Sequence, residues 1–496
     1  MPPEEFRQHG YAVIDRLVDH FATVADRPAT PFISPLEIVP LFDVPVPQHG
    51  EPLETILTDW ETKILPNSSV QGSPRFFGWV NGGGSQVGAL ADALASGLNP
   101  NPGGWRAAQA ATVIENQAIR WLANLMGLDA STSGLFVSGG TMANTAALRM
   151  ALTSTATWDI VNEGLQSPER PRHLTVYMAD HESHASLKKA VDLLGLGRSA
   201  IRLVPSRPDF TIDPEALDAM LASDIAAGMT PFCLVGHAGS INVGAIDDLV
   251  ALADIAERHK LWFHVDGACG ALGAILPELR RRYAGMERAD SVSFDAHKWM
   301  GVPYECGCVM VRDPAHLRQG FAVSASYLNE DHDPALEPFD FYDRGPQMSR
   351  GWRALKVWLS LRHYGVEGYR AFFRRTIDNA QYLHELVSAH PAWEVVQPSP
   401  ALYIYSFRFI GSPARPDPEA EAALDALNAE IADQIKRRGI ALANTTRIGG
   451  RVTQRLSIAN HRTRRADILA VFEAMTRIGA ELQSATPALD KTGSVE

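Results

Sequence analysis

The sequence predicts an α/β protein in which a large domain with a mostly parallel sheet is followed by a small α+β domain. Between about residues 85 and 320, helical stretches alternate with short, apolar, β-rich runs. Runs of this kind are typical of parallel strands that helices cover on both faces. After about residue 365 the pattern changes, which indicates the smaller C-terminal domain.

An N-terminal helical arm precedes the large domain. Residues 4–25 place apolar side chains at helical spacing and predict an amphipathic helix. Residues 28–52 are rich in proline, which favours an extended arm over a core element. A second helix is predicted near residues 51–64.

The elements of the two domains follow from the same patterns. The large domain is predicted to contain helices at residues 86–96, 108–126, 141–154, 183–195, 214–227 and 248–259. Its strands are predicted in the runs GLFVSGG, LTVYMA, AIRLV, FCLVGH, LWFHVD, DSVSFD and CGCVMV. For the small domain the prediction is helices at 369–388, 418–438 and 464–483, with strands in WEVVQ, LYIYSFRF and RLSIAN. We place the domains at residues 1–84, 85–368 and 369–496, with a disordered C-terminal tail.

Composition excludes several classes of protein. With 496 residues, of which 46% are hydrophobic and 21% charged, the chain is predicted to be globular with more than one domain. Its net charge of −12 and the lack of a basic tail argue against a nucleic-acid partner. Neither a membrane-spanning run nor a secretory signal is recognised, so we expect a cytoplasmic protein. The four cysteines lie in apolar stretches and are expected to be reduced, buried thiols.

Polar residues follow five of the predicted strands. In an open parallel sheet, ligands bind at the carboxyl ends of the strands, so these residues are predicted to build one site. In chain order they are Gly139, Gly140 and Thr141, then His184, then Ser240 and Asn242, then Asp266 and Ala268, and finally Asp295, His297 and Lys298.

Two of these groups of residues suit the cofactor pyridoxal phosphate (PLP), one its phosphate and the other its pyridine ring. The turn at Gly139 and Gly140, with the Thr141 hydroxyl, offers backbone N–H groups to a phosphate, although a plain helix start would look the same. Asp266 follows an apolar strand and needs a cationic partner, which a protonated pyridine nitrogen supplies. A structural, helix-capping aspartate is the alternative.

Lys298 is the most specific residue of the set. It lies between His297 and Trp299 at a strand end, where a surface lysine has no need to be. Burial and a neighbouring cation are expected to lower its pKa, so that the free amine can form an imine. Together with the other strand ends, Lys298 predicts a PLP enzyme.

A metal site is not predicted. His181 and His184 stand at i and i+3 without a third ligand nearby in sequence. His264 precedes Asp266 by two residues, and we expect its side chain to lie on the opposite face of the strand.

These residues, together with five longer motifs, resemble the group II PLP-dependent amino acid decarboxylases. This family includes the aromatic L-amino acid, histidine, glutamate and cysteine-sulfinate decarboxylases. The motifs are SPRFFGWV at 73–80, HVDGACGA at 264–271, DAHKWM at 295–300, RALKVWLSLRHYGVEGY at 353–369 and RLSIANHRTRRADI at 455–468. The lysine signature is the most specific, and the resemblance covers nearly the whole chain.

The resemblance implies PLP fold type I, the aspartate aminotransferase-like architecture, in a homodimer whose N-terminal helices lie across the partner subunit. It also implies that Lys298 is the Schiff-base lysine, that Asp266 pairs with the ring nitrogen, and that His184 and Ala268 lie above and below the ring. The residues expected to contact the cofactor are Gly139, Gly140, Thr141, His184, Ser240, Asn242, Asp266, Ala268, Asp295, His297 and Lys298.

The implied reaction is decarboxylation of an L-amino acid to its amine. The family usually takes the acid that protonates Cα from a tyrosine on a mobile loop. Here the loop is predicted at residues 322–348 with Tyr342 as the acid, but Phe341 lies nearer the expected spacing. With phenylalanine there, an aldehyde synthase becomes the alternative. An aminotransferase and a catalytically dead binding protein also stay open.

The segments that would line the substrate pocket, residues 80–85 and 98–106, give a small or polar lining through Asn81, Asn101, Gly103 and Arg106. Trp79 and Trp105 still offer aromatic surface. We favour an aromatic substrate from the family, while a polar or acidic amino acid stays open.

Overall fold

The computed structural model describes residues 1–323, 340–411 and 418–485 of the chain. These residues form two compact units. One comprises Met1–Trp79, Asn379–Pro398 and the chain from Tyr405 onward, and the other comprises Val80–Asp378 with Ser399–Ile404. The domain boundaries at 84/85 and 368/369 stay a prediction, and the tail from residue 486 lies outside the described residues.

The elements follow the predicted order closely. The helices are α1 (Pro3–Thr23), α2 (Pro35–Phe42), α3 (Leu53–Asp59), α4 (Gln86–Leu98), α5 (Gln109–Met126), α6 (Gly140–Thr155), α7 (Ala185–Leu193), α8 (Pro214–Ala226), α9 (Leu249–His259), α10 (Ala315–Phe321), α11 (Ala354–Ala389), α12 (Pro418–Arg437) and α13 (Arg465–Ala485). The strands are β1 (Ser133–Val137), β2 (Leu174–Ala179), β3 (Ile201–Val204), β4 (Thr230–His237), β5 (Trp262–Asp266), β6 (Ser291–Asp295), β7 (Gly307–Val311), β8 (Trp393–Val395), β9 (Ile404–Phe409), β10 (Asn444–Ile448) and β11 (Arg451–Ser457).

The larger sheet confirms the predicted fold class. Its strands run in the order β1-β7-β6-β5-β4-β2-β3. All neighbouring pairs are parallel except those of β7, which is antiparallel to both β1 and β6. β1 is therefore parallel to β6, and the carboxyl ends of β1, β2, β4, β5 and β6 meet at one edge. Strands β5, β6 and β7 are buried throughout, as the apolar runs predicted.

Local chemistry explains where several helices begin and end. Asp213 caps α8 by accepting hydrogen bonds from the backbone N–H groups of Glu215 and Ala216, and Pro214 suits the first turn. At the other end of a helix, Gly127 closes α5 with a φ of 76°, which a residue with a Cβ adopts poorly.

Outside the larger sheet, the structure departs from the predictions in three places. The proline-rich arm contains α2, because Ser34 and Glu37 form a capping box and Pro35 fits the first turn. Strand β10, antiparallel to β11, was not predicted because its residues are mostly polar. The helix expected from residue 369 belongs to α11, which begins at Ala354 and is broken at Gly365, where φ is 68°.

The small four-stranded sheet has the order β10-β11-β9-β8. Apolar side chains from it and from nearby helices form a core that includes Trp393, Tyr405, Phe407, Ile431 and Met475. Across the described ranges of the chain, no helix is both long and apolar enough to cross a membrane.

Candidate active site

Three strand ends of the larger sheet meet at the candidate site. β5 ends at Asp266 and β6 ends at Asp295, and the two strands pair with Asp266 opposite Ser293. β1 ends at Val137, and α6 begins at Gly140. The parallel register therefore brings the two acidic residues and a glycine turn to one edge of the sheet.

Lys298 is held at this edge by Asp295. Its Nζ donates to Asp295 Oδ2 at 2.8 Å and lies 3.9 Å from Cys269 Sγ. The Lys298 side chain is 14% exposed and that of Asp295 only 2%. Asp295 and Lys298 are also joined through the backbone, since the Lys298 N–H donates to the Asp295 carbonyl at 3.1 Å.

The expected lowering of the Lys298 pKa is wrong in this structure. Burial does act in that direction, but the Asp295 carboxylate outweighs it, and the pKa of Lys298 is raised. His297 does not provide the expected neighbouring cation, because burial lowers the pKa of its imidazole. Lys298 is therefore an ammonium group in a buried ion pair.

The glycine turn lies directly against this ion pair. A Cβ placed on Gly140 would lie 2.9 Å from Asp295 Oδ2 and 3.2 Å from the Cβ of Ala268, and one on Gly139 would lie 3.2 Å from His297 Cε1. Any larger residue would fill this cradle at the start of a 16-residue helix. Among the described residues, Asp295 Oδ1 is buried without a hydrogen-bond partner. The turn and the lysine together fit a phosphate-bearing cofactor.

Asp266 is a buried, hydrogen-bonded carboxylate. Its Oδ2 accepts from Asn144 Nδ2 at 2.8 Å, while Oδ1 accepts from the Ala268 N–H at 3.1 Å and from Ser293 Oγ at 3.3 Å. Burial by itself would raise the pKa of Asp266, but His237, the Ala268 N–H and other neighbours outweigh burial and lower it. The site therefore keeps Asp266 ionised, as a partner for a protonated ring nitrogen requires.

His264 does not lie on the opposite face of β5, as we expected. Residues two apart on a strand share a face, and His264 hydrogen-bonds the same Asn144 that binds Asp266. The described part of the chain contains no cluster of three or more His, Cys, Asp or Glu residues suited to a metal.

Tyr304 connects a predicted pocket residue to the lysine signature, and sequence reasoning missed it. Its hydroxyl hydrogen-bonds Asn81 Oδ1, and its ring packs on that of His297 with centroids 4.3 Å apart. Gly82, which follows Asn81 in the chain, donates its N–H to the His297 carbonyl. A Cβ on Gly82 would lie 2.2 Å from the Lys298 carbonyl oxygen. The NGGGS stretch therefore needs a glycine at residue 82 to approach Lys298.

His184, Ser240 and Asn242 lie in loops that follow β2 and β4. His184 caps α7, with Nδ1 accepting from the Ser186 N–H at 3.1 Å. Ser240 Oγ accepts from the Ala245 N–H, and Asn242 Nδ2 donates to the His181 carbonyl and to Glu182. The contacts of Ser240 and Asn242 organise the loop, and the role of all three beside a cofactor stays a prediction.

Tyr342 lies beside the predicted pocket segment. Its N–H donates to the Gly103 carbonyl at 2.8 Å, and a Cβ on Gly104 would lie 3.2 Å from its ring. Burial and the neighbouring Asp340 raise the pKa of its hydroxyl. Phe341 is fully buried under the guanidinium groups of Arg344 and Arg350. Residues 324–339 of the predicted loop lie outside the described residues, so the choice of acid stays a prediction.

The pocket segment at residues 98–106 is anchored by a buried ion pair that sequence reasoning also missed. Arg350 binds Glu115 through both nitrogens, at 2.7 and 3.0 Å, and donates to the carbonyls of Pro102 and Phe136. Asn101 Oδ1 accepts from the Arg350 N–H. Through Arg350, residues 98–106 are therefore tied to Phe136 of β1.

The remaining pocket candidates have backbone contacts in the structure. The Trp105 N–H donates to Asp340 Oδ1 at 2.8 Å, and the carbonyl of the exposed Arg106 accepts from Gln109. Trp79 belongs to the other compact unit, where its N–H donates to Asn444 Oδ1. Their contact with a substrate stays a prediction.

Comparison with known proteins agrees with this site. The family described as "Pyridoxal-dependent decarboxylase conserved domain" matches residues 35–410. The chain is 32% identical over 488 residues to the aromatic-L-amino-acid decarboxylase of Bacillus atrophaeus, and the aligned residues cover 98% of this chain and 97% of that protein. It is also 32% identical over 400 residues to a phenylacetaldehyde synthase of Petunia hybrida, with coverage of 80% and 79%.

Solved structures show the same fold. The structure of Oryza sativa TDC with PLP and tryptamine superposes with a TM-score of 0.89 at 26% identity, covering 97% of this chain and 99% of that chain. That of Catharanthus roseus tryptophan decarboxylase with L-tryptophan superposes with a TM-score of 0.86 at 25% identity and the same coverage. Motifs, fold and matched family agree, and the chain belongs to the family of pyridoxal-dependent decarboxylases.

Proposed function

We propose that the protein decarboxylates an aromatic L-amino acid to the corresponding amine and CO2, with Lys298 as the Schiff-base lysine. The observation that carries this proposal is the buried pair of Lys298 and Asp295 against the glycine turn, with the ionised Asp266 at the neighbouring strand end. An amine, an anion-binding turn and a carboxylate in this arrangement match the three polar parts of PLP.

Each residue has a separate task. The Gly139–Gly140 turn at the start of α6 would hold the phosphate, together with His297. Asp266, kept ionised by His237 and by hydrogen bonds such as that from the Ala268 N–H, would hold the proton on the ring nitrogen. PLP supplies an electron-accepting ring that stabilises the charge left on Cα when CO2 departs. We assign the protonation of Cα to Tyr342. His184 would lie against one face of the cofactor ring.

An aromatic substrate is supported by chemistry at the pocket and by the relatives. Asn81 and Tyr304 place an amide and a phenol ring beside His297, and Trp105 lies half-buried in the segment that Arg350 anchors. The relatives of similar length are named for aromatic amino acids or for an aldehyde derived from one. We infer a pocket that accepts a flat ring.

A screen of product formation tests this proposal. Purified protein with PLP is mixed with each L-amino acid and with DOPA, while CO2, amine, hydrogen peroxide and keto acid are measured. We expect CO2 and amine in equal amounts, with kcat/KM for aromatic substrates at least about tenfold above that for glutamate or histidine. Keto acid without CO2 would contradict the decarboxylase assignment, and a preference for glutamate would contradict the aromatic one.

An aldehyde synthase is the second candidate. Phenylacetaldehyde synthases are among the relatives, and a buried phenylalanine adjoins Tyr342. Such an enzyme would consume O2 and water and release aldehyde, ammonia and peroxide in step with CO2, so the same screen separates the two activities.

We also propose that the active enzyme is a homodimer, located in the cytoplasm, in which the N-terminal arm is covered by the second copy. Large apolar side chains of this arm are exposed in the single chain, including Phe6 at 70%, Leu36 at 88% and Val46 at 79%. Several large apolar side chains exposed on one arm favour an association site there. The four cysteines are free and buried, which suits a reducing compartment.

Charge introduced into the arm should weaken the dimer. We expect the wild type to sediment as a dimer, and the Leu36→Glu/Val46→Glu variant to shift toward monomer, with a dissociation constant raised at least about a hundredfold. Gln48→Glu adds charge to the same exposed segment without removing an apolar group, and serves as the control. A wild type that sediments as a monomer at micromolar concentration would contradict the proposal.

A further inference from the structure

A chain of hydrogen bonds leads from the interior of the larger sheet to Asp266. Trp262 Nε1 donates to Ser291 Oγ at 2.8 Å, and Ser291 Oγ lies 2.9 Å from His264 Nδ1. His264 Nε2 lies 3.1 Å from Asn144 Oδ1, and Asn144 Nδ2 donates to Asp266 Oδ2 at 2.8 Å. We name these five residues the relay.

The carboxylate end of the relay and the neutral His264 ring determine the direction of its hydrogen bonds. An ionised carboxylate only accepts, so Asn144 turns its amide nitrogen to Asp266 and its Oδ1 to His264. Oδ1 also only accepts, so the His264 proton is on Nε2. The ring is neutral and its Nδ1 then carries a lone pair, so Ser291 Oγ donates to Nδ1 while it accepts from the Trp262 N–H.

The surroundings of the relay reinforce this direction. Trp262, Ser291, His264 and Asn144 are all at least nine-tenths buried. Burial lowers the pKa of His264 to about 4, so its ring is neutral at physiological pH and carries a single N–H. The second N–H of the Asn144 amide donates to Ser186 Oγ at 3.0 Å.

We propose that Asn144 and His264 are positioning residues, which hold the Asp266 carboxylate ionised and aimed at the ring nitrogen of the cofactor. His264 Nε2–H holds Asn144 Oδ1 and so keeps the amide N–H aimed at Asp266, and this hydrogen bond favours the charged form of the carboxylate. No member of the relay other than Asp266 needs to touch PLP. The inference rests on the proposed function, because it assigns Asp266 to the ring nitrogen.

The test uses two substitutions of His264 with opposite expectations. Gln retains an N–H for Asn144 Oδ1, whereas Leu has none, so His264→Leu breaks the relay and His264→Gln restores its last steps. We expect His264→Leu to raise the PLP dissociation constant, measured by absorbance titration of the cofactor-free protein, about ten- to a hundredfold. His264→Gln should remain within about threefold of the wild type.

Further readouts separate positioning from general loss of structure. In His264→Leu we expect kcat to fall with little change in KM, and the pH midpoint of the cofactor absorption band to shift, because the ring nitrogen holds its proton less well. Tyr177→Phe is the matched control, since it removes a buried hydrogen bond to another carboxylate, Asp224, outside the relay. It should lower the melting temperature without changing PLP affinity.

The outcomes distinguish this inference from the proposed function. Should the wild type form no imine band with PLP, the proposed function fails. An imine band in His264→Leu with unchanged affinity and pH midpoint overturns the relay alone. Ser291→Ala removes only a distant hydrogen bond from a small side chain, so it decides the question if His264→Leu does not fold: we expect about a threefold to tenfold weaker PLP affinity, and an unchanged affinity contradicts the relay.

Discussion

Lys298→Ala is expected to abolish turnover and the imine absorption band together. A methyl group cannot form the imine with PLP or release the product amine, so we expect kcat to fall at least about a thousandfold. The measurement is an absorbance titration with PLP, followed by borohydride reduction and peptide mapping of the tagged fragment. Lys189→Ala, at an exposed position on α7, should behave as the wild type. A tag on any other lysine would contradict the assignment.

The ion pair determines the pH range over which Lys298 stabilises the folded protein. Because the pKa of Lys298 is raised by Asp295, the ammonium contributes stability in full below the ordinary lysine pKa of about 10.4. That contribution is lost only as pH rises through the higher folded-state value. We therefore expect the cofactor-free wild type and Lys298→Met to differ in unfolding free energy by a constant amount between about pH 6 and 9.

Asp266→Asn is expected to have the second largest effect. The amide has nearly the shape of the carboxylate but no charge, so it cannot pair with a protonated ring nitrogen. We expect kcat to fall about a hundred- to a thousandfold, the loss typical of a removed electrostatic group in an active site. The PLP affinity should also fall, and the cofactor band should lose its protonated form at a lower pH than in the wild type.

The pH range of this effect follows from the lowered pKa of Asp266. A carboxyl group whose folded pKa is depressed contributes stability above its unfolded value of about 3.9, and loses it as pH falls further. Asp266 should therefore stay ionised from about pH 5 to 8, and the ratio of wild-type to variant rates should rise over this range as the ring nitrogen of the variant loses its proton. Asp224→Asn, which removes a buried carboxylate paired with Arg202, controls for general destabilisation. Near-normal turnover in Asp266→Asn would refute the pairing of Asp266 with the ring.

Much of the fold could be predicted because its signals are local. The continuous apolar runs of β5, β6 and β7 indicate buried strands, and the alternation with helices then requires parallel crossovers. The polar residues after these strands were predicted to converge for the same reason, and the structure brings Gly140, Asp266, Asp295 and Lys298 to one edge. Polar β10 lacked such an apolar signal, and the prolines of the capped helix α2, Pro35 and Pro40, favoured an extended arm, so both were missed.

By itself, the sequence determined the fold class, the family and the set of strand-end residues, because apolar periodicity and short motifs are properties of neighbouring residues. Only the tertiary structure decided the electrostatics, because the sign of a pKa shift depends on the distances between charged side chains and on their burial. The sequence gives neither quantity. Asp295 makes Lys298 an ammonium instead of a free amine. Asn144, which is 122 residues from Asp266 in sequence, orients that carboxylate through a side chain that no motif singles out.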